Sequence, residues 1–222
     1  MKIAALIICF FSLNIFCQNR TTKYTLDANG KNVRLTKRIY ENEKYPDNSW
    51  GFRIEKDSGM IHQHNVPKYS TYKLDYNYFK GIIEKNSNNK YSDSTIFLIK
   101  YYYLNDNCSD SFSNVMTNEL ITDNKILTDF HKVNIENESN IIFLVFFENG
   151  IKLNNKVNSK NEYYFTDEKN IFRNNIFINP TLCGSFGLIK PNGETLIRNG
   201  EYRADWIVNH LDPKIWNTIF QQ

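Results

Sequence analysis

The sequence predicts an α+β protein in which a small β-rich N-terminal unit precedes a mixed-sheet α/β unit. Three observations carry this. Short strand-like runs separated by turn signals fill residues 23–67. Two long apolar runs, 95–104 and 141–147, have the pattern of central strands covered on both faces. The chain closes on helical periodicity, with Ala204, Ile207, Val208 and Leu211 at i, i+3, i+4 and i+7.

Taken in order, strands are predicted over 23–26 and 33–40, parted by the turn signal Ala28-Asn29-Gly30. Trp50-Gly51-Phe52-Arg53-Ile54 is a further strand. Lys56-Asp57-Ser58-Gly59 turns the chain, and 60–64 pairs back. Tyr78, Phe79, Ile82 and Ile83 share one face of a helix over 75–85. The Asn/Ser-rich stretch 86–92 predicts a boundary, dividing an N-terminal unit (18–90) from a C-terminal one (91–222).

In the second unit the strand over 95–104 carries Tyr101-Tyr102-Tyr103, whose aromatic residues on both faces fit core and sheet surface. A loop through 105–110 leads to a helix bearing Phe112, Val115, Met116 and Leu120, and Ile126, Leu127 and Phe130 predict a further short helix. After the strand over 141–147, Glu148-Asn149-Gly150 predicts a hairpin turn. A short helix follows over 167–172, and a second hairpin turns at Pro191-Asn192-Gly193. Asp212 caps a last helix with Pro213 at its first position, where a missing N–H costs nothing. The helical spacing of Trp206 and Trp216 predicts packing for both.

The N-terminus predicts export. Met1-Lys2 is a short basic region, residues 3–16 are almost unbroken apolar, and cleavage between Cys17 and Gln18 fits a secretory signal peptide over 1–17. The apolar run is too short, and too soon followed by Gln18-Asn19-Arg20, for a stable membrane span. Lipid anchoring through Cys17 is the alternative, and bulky Phe16 before it argues against that. The expected place is the periplasm or beyond, with no transmembrane segment in the mature chain.

The formal charge of +3 has no clustered basic run, which predicts no nucleic-acid partner and no grip on an acidic membrane. No nucleophile elbow, phosphate-cradling Gly loop, H-E-x-x-H or calcium loop is present, and no cofactor is predicted. Whether the chain is an enzyme stays open at this stage.

Cys108 and Cys183 remain after processing. An oxidising compartment predicts a structural disulfide between them, against two readings that stay open: unlinked thiols, or a redox function. As a nucleophile Cys108 would need a base, and His131 and His210 are reachable only through the fold. His62 and His64 lie two apart on a predicted strand, so both project from one face and form a candidate binding pair. A metal needs a third ligand, and no matching Cys, Asp or Glu cluster stands nearby in sequence.

Two resemblances follow. The segment 45–67, with Trp50-Gly51-Phe52-Arg53-Ile54, a turn at Gly59 and Ile61-His62-Gln63-His64-Asn65-Val66-Pro67, resembles DUF4907, a family of small exported bacterial domains without assigned activity. The likeness extends weakly to the helix near Ile83 and ends as a motif at Pro67. The order strand, Cys108 loop, helix, strand, helix, hairpin, helix over 91–212 resembles a thioredoxin-like fold. That resemblance implies a reactive Cys108 at a helix start, where the helix dipole lowers thiol pKa, with Cys108-Ser109-Asp110-Ser111 standing where the family has C-x-x-C. It implies a cis-proline beside the thiol, for which Pro180 is the candidate. It also implies that Cys183 lies close to Cys108, a pair whose disulfide the chain-entropy model values at about 4 kcal/mol.

The function expected from all this is non-catalytic binding of a protein or envelope component outside the cytoplasm. The alternative is a thioredoxin-like thiol–disulfide protein with a degenerate C-x-x-S motif, and a third class is metal binding through His62 and His64.

Overall fold

The computed structural model describes residues 23–26, 32–34, 48–54, 61–106, 114–138, 140–155 and 161–220. Two sheets organise them. Strands β1 (Lys23–Leu26), β2 (Asn32–Arg34), β3 (Asn48–Ile54) and β4 (Ile61–Pro67) form a four-stranded sheet in the order β2-β1-β4-β3. β1 runs parallel to β4, and β3 pairs with β4 antiparallel. The predicted strand over 33–40 is seen only as β2, and its remainder lies outside the described residues.

The six-stranded sheet is mixed, in the order β10-β8-β6-β11-β12-β5. Its members are β5 (Tyr69–Lys73), β6 (Ile96–Tyr102), β8 (Ile141–Glu148), β10 (Tyr164–Asp167), β11 (Ser185–Ile189) and β12 (Glu194–Asn199). β6, β8 and β10 are parallel, whereas β11, β12 and β5 continue antiparallel from β6. The apolar runs sit at the centre, as strands buried on both faces must: Phe97, Leu98 and Ile99 of β6 and Phe146 and Phe147 of β8 are all fully buried.

The two sheets share one bent strand. β4 ends at Pro67 in the first sheet and β5 begins at Tyr69 in the second. Asn199 holds the bend: its N–H donates to the Lys68 carbonyl at 2.9 Å, and its amide Nδ2 donates to the Pro67 carbonyl and Ser70 Oγ. Helix α1 (Tyr76–Ser87) then starts on Asp75, whose carboxylate accepts from the Tyr78 N–H. It buries Tyr76, Phe79 and Ile83 against the six-stranded sheet, with Tyr76 stacked on Phe97 and Phe79 beside Phe172. β5 and α1 are thereby built into the larger sheet.

Helix α2 (Asn118–Glu138) is the crossover between parallel β6 and β8. It replaces the two separate helices expected from Phe112 to Phe130, and it begins later. Val115 and Met116 form a short strand, β7, pairing parallel with β9 (Lys152–Leu153). Thr117 Oγ1 then accepts from the Leu120 N–H and starts the helix. Cys108, expected at a helix start, lies outside the described residues, and β7 precedes α2 in the chain. β9 pairs with β7, so the turn at Gly150, with its φ of 103°, is not the hairpin expected.

Helix α3 (Ile171–Asn175) is short, and Asp167 accepts the N–H groups of Ile171 and Arg173 at its start. The β11–β12 hairpin and the closing helices appear as predicted: α4 (Ala204–Val208), a 3₁₀ turn (Asn209–Leu211) and α5 (Pro213–Phe220). Trp216 is buried, but Trp206 is 48% exposed beside Arg203, so packing holds for only one of the two tryptophans. Among the described residues, no helix is long and apolar enough to cross a membrane.

Candidate functional site

The sequence points to the cysteines, and the structure describes one of them. Cys183 is disulfide-bonded. Cys108, like Cys9 and Cys17, lies outside the described residues.

Cys183 sits in a tight turn between the end of α3 and β11. Its φ is 65° and that of Gly184 is 73°, two successive left-handed residues. This brings their neighbouring N–H groups onto one acceptor, an arrangement that favours an anion. The acceptor is the Asp106 carboxylate, which takes the Cys183 N–H at 3.0 Å and the Gly184 N–H at 2.9 Å. Asp106 is fully buried and stands just past the end of β6, where its own N–H donates to the Tyr103 carbonyl. Gly184 is required here twice over. Its φ disfavours a side chain, and a Cβ would stand 2.4 Å from the Tyr101 carbonyl oxygen.

A closed polar network lies beneath the turn. Thr181 Oγ1 donates to the Gly184 carbonyl at 2.9 Å and lies 2.8 Å from Ser185 Oγ. The Gly200 N–H donates to both hydroxyls, and the Tyr103 hydroxyl donates to Ser185 Oγ at 3.0 Å. Thr181, Ser185 and Tyr103 are fully buried. Next to them the Tyr101 hydroxyl donates to Asp167 at 3.1 Å, and the Tyr101 ring stacks on Phe177 with centroids 4.5 Å apart. Burial pushes both phenols well above their ordinary range, and burial likewise raises the Asp167 carboxyl.

The far side is braced by Glu148. One oxygen accepts from Arg173 Nε at 3.1 Å and the other from the Leu104 N–H at 2.9 Å, while Arg173 Nη1 donates to the carbonyls of Phe177 and Ile178. The whole arrangement holds a cysteine turn in one conformation. Its hydroxyls bond one another, the Gly184 carbonyl and Asp167, and its other carboxylates are taken by backbone N–H groups and Arg173.

No hydrogen bond or ion pair joins a histidine to this turn among the described residues. His210 accepts the Tyr69 hydroxyl at Nε2, 2.8 Å away, and its Nδ1 donates to the Ile207 carbonyl. His131, on α2, lies 3.7 Å from Asp205 of α4. Neither is placed as a base toward Cys183.

Pro180 is placed differently from the expectation. No peptide bond among the described residues is cis, so Pro180 is trans. Its carbonyl accepts the Phe52 N–H at 2.9 Å, and Thr181 forms a bridge to Gly51. This segment ties β3 of the N-terminal sheet to the Cys183 turn. His62 and His64 lie on β4 as predicted, opposite Arg53 and Gly51 of β3, and their side chains lie outside the described residues. No cluster of three or more His, Cys, Asp or Glu able to hold a metal occurs among the described residues.

Asp106 and Ser185 carry little signal in the sequence. The only signal for Asp106 was an acidic residue in the loop preceding Cys108, and short polar residues in a loop are too common to stand out.

A second surface feature lies on α2. Ile126, Leu127, Phe130 and Val133 are 68%, 72%, 68% and 56% exposed. They recur at i, i+1, i+4 and i+7, so they form one apolar stripe along the helix.

Among solved structures, the chain is similar to an exposed lipoprotein thioredoxin of Streptococcus pneumoniae strain TIGR4, at 10% identity over 74% of this chain and 97% of that one, with a TM-score of 0.34. No family model matches the chain, so its likeness to DUF4907 stands on the motif of residues 45–67 alone. No curated protein matches it.

Proposed function

We propose that the chain is an exported, non-catalytic binding protein of the periplasm or envelope, with a protein or envelope component as its partner. The exposed stripe of Ile126, Leu127, Phe130 and Val133 carries this reading. Four large apolar side chains together on one helix face favour contact with another macromolecule, because leaving them in water is costly. The Cys183 turn supports the non-catalytic half, since its groups are committed to holding the turn. Within this reading Cys108 is the partner of Cys183, being two residues beyond Asp106, and the bond is a staple.

A photo-crosslinking residue placed at Phe130 in the producing cell tests the binding role. A discrete envelope adduct, absent when the crosslinker is placed at Glu201, is the expected result; no adduct at 130 overturns it. Peptide mapping and redox titration test the staple. A Cys108–Cys183 bond with a potential below about −300 mV fits a structural disulfide. A potential nearer about −200 mV, with exchange activity toward a dithiol substrate, would replace this reading with the thiol–disulfide alternative. Amino-terminal sequencing of envelope material beginning at Gln18 would support the signal peptide over 1–17.

A further inference from the structure

Helix α2 is acidic in a protein whose formal charge is +3: it carries five carboxylates against two lysines. Both lysines are turned to one side of the helix and engaged there. Lys125 Nζ donates to the two oxygens of Glu162 at 2.8 and 2.9 Å, Lys132 pairs with Glu136, and each stands over the Tyr163 ring. The solvent-facing side is left with carboxylates. Glu119, Asp123 and Asp129 are exposed, and none of the three makes an ion pair among the described residues.

These acids border the apolar stripe. Asp123 precedes Ile126 and Leu127 by three and four residues, and Glu119 precedes Asp123 by four, so the ridge runs on into negative charge toward the helix N-terminus. Asp129 flanks Val133 at the same spacing. Past Val133 the exposed residues Asn134 and Asn137 are neutral. Glu119 suits the first turn of any helix, where the dipole favours an acid, but that field fades within a turn and accounts for neither Asp123 nor Asp129.

Charge and area together select what fits this ridge. A second copy would set these carboxylates against its own, with no uncommitted lysine on α2 to offset them. The stripe exposes on the order of 500 Å² of apolar surface, short of the roughly 800 Å² that each member of a stable dimer buries. An anionic lipid surface is opposed by the same carboxylates. A short helix with apolar residues at matching spacing and basic residues beside them satisfies both the stripe and its border.

We propose that the α2 ridge docks a cationic amphipathic helix of a partner protein, with the partner's basic residues lying against Glu119, Asp123 and Asp129. This rests on the binding role assigned to the stripe above, and it adds the partner's chemistry and direction: its positive end lies over the N-terminal half of α2.

The test is binding of two synthetic peptides of about four helical turns to the folded full-length chain, followed by fluorescence anisotropy. One peptide has leucine at i, i+3, i+4 and i+7 with lysine elsewhere, and the other has glutamate in place of lysine. The lysine peptide is expected to bind about tenfold more tightly in low salt, as a few exposed charge pairs allow, and to lose most of that lead at about 0.5 M salt. E119K combined with D123K should remove the lead, and F130E should weaken both peptides. Equal binding of the two peptides, weakened in both by F130E, overturns the charge preference and leaves the binding role of the stripe standing. Binding of the lysine peptide that F130E does not change overturns the ridge as its site. No binding of the lysine peptide at about 1 mM overturns the proposal, whether the chain instead self-associates in sedimentation, binds phosphatidylcholine vesicles or does neither, and crosslinking from position 130 then judges the binding role alone.

Discussion

Asp106 and Cys183 are far apart in sequence, yet the Asp106 carboxylate accepts the Cys183 N–H at 3.0 Å and the Gly184 N–H at 2.9 Å. One buried side chain therefore satisfies two adjacent donors of a turn in which both residues have positive φ.

Replacing Asp106 with Asn tests that relationship. The amide has one oxygen for two donors, and its NH₂ group meets the second N–H. A hydrogen bond to a charged group contributes about 1.5–3 kcal/mol, and a stranded donor adds to the loss, so D106N should cost roughly 2–4 kcal/mol. Urea unfolding under oxidising conditions measures it. A loss under about 0.5 kcal/mol would mean the turn holds its shape without Asp106.

Two glycines should respond in opposite directions to alanine. At Gly184 a Cβ meets the Tyr101 carbonyl oxygen at 2.4 Å and the φ is +73°, so G184A should lose more than about 2 kcal/mol. Gly81 lies within α1, and a methyl group added there would meet nothing within 4 Å. G81A should therefore stabilise by about 0.5–1 kcal/mol through helix propensity. Thermal unfolding of the pair gives both signs in one experiment.

Phenylalanines divide by place. Phe172 is fully buried, 4.6 Å from Phe146 and 5.8 Å from Phe79 between ring centroids. F172A should cost about 3–5 kcal/mol. Phe130 is 68% exposed, so F130E should change stability by less than about 0.5 kcal/mol while removing the centre of the α2 stripe. Denaturant midpoints for the two variants separate core from surface, and a large loss in F130E would show that the stripe is covered.

His210 predicts an acid limb. Burial lowers its pKa, and the nearby positive charges of Arg198 and Lys68 act the same way. A base with a depressed folded pKa binds protons more readily when unfolded, so stability falls as pH drops below the ordinary histidine value near about 6.5 and continues falling to the folded pKa. Protonation would also oppose the hydrogen bond accepted from Tyr69 at Nε2. Unfolding free energies at pH 7 and pH 5 should show this loss, and H210Q should shrink the difference. An unchanged difference in H210Q would assign the limb to other groups.

What the sequence determined by itself is what depends on neighbours along the chain. Apolar runs at 96–102 and 141–148 had to be central strands, because no exposed face could carry them. The Pro191-Asn192-Gly193 turn and the Asp212-Pro213 start likewise depend on local dihedrals and caps. The periodicity of Ile126, Leu127 and Phe130 announced a helix but not its length, since polar residues such as Asp123 and Asn134 lie on faces that need no burial. Tertiary structure alone decided the rest. Val115 and Met116 became a strand because β9 was there to pair with them, and helical spacing could not reveal that partner. Residues 69–87 joined the larger sheet because β12 offered an edge and Phe97 and Phe172 a surface, despite the polar stretch that follows them. Asp106 gained its meaning only when the end of β6 met the turn at Cys183: a carboxylate is an ordinary loop residue until folding removes water and leaves two N–H groups that need an acceptor.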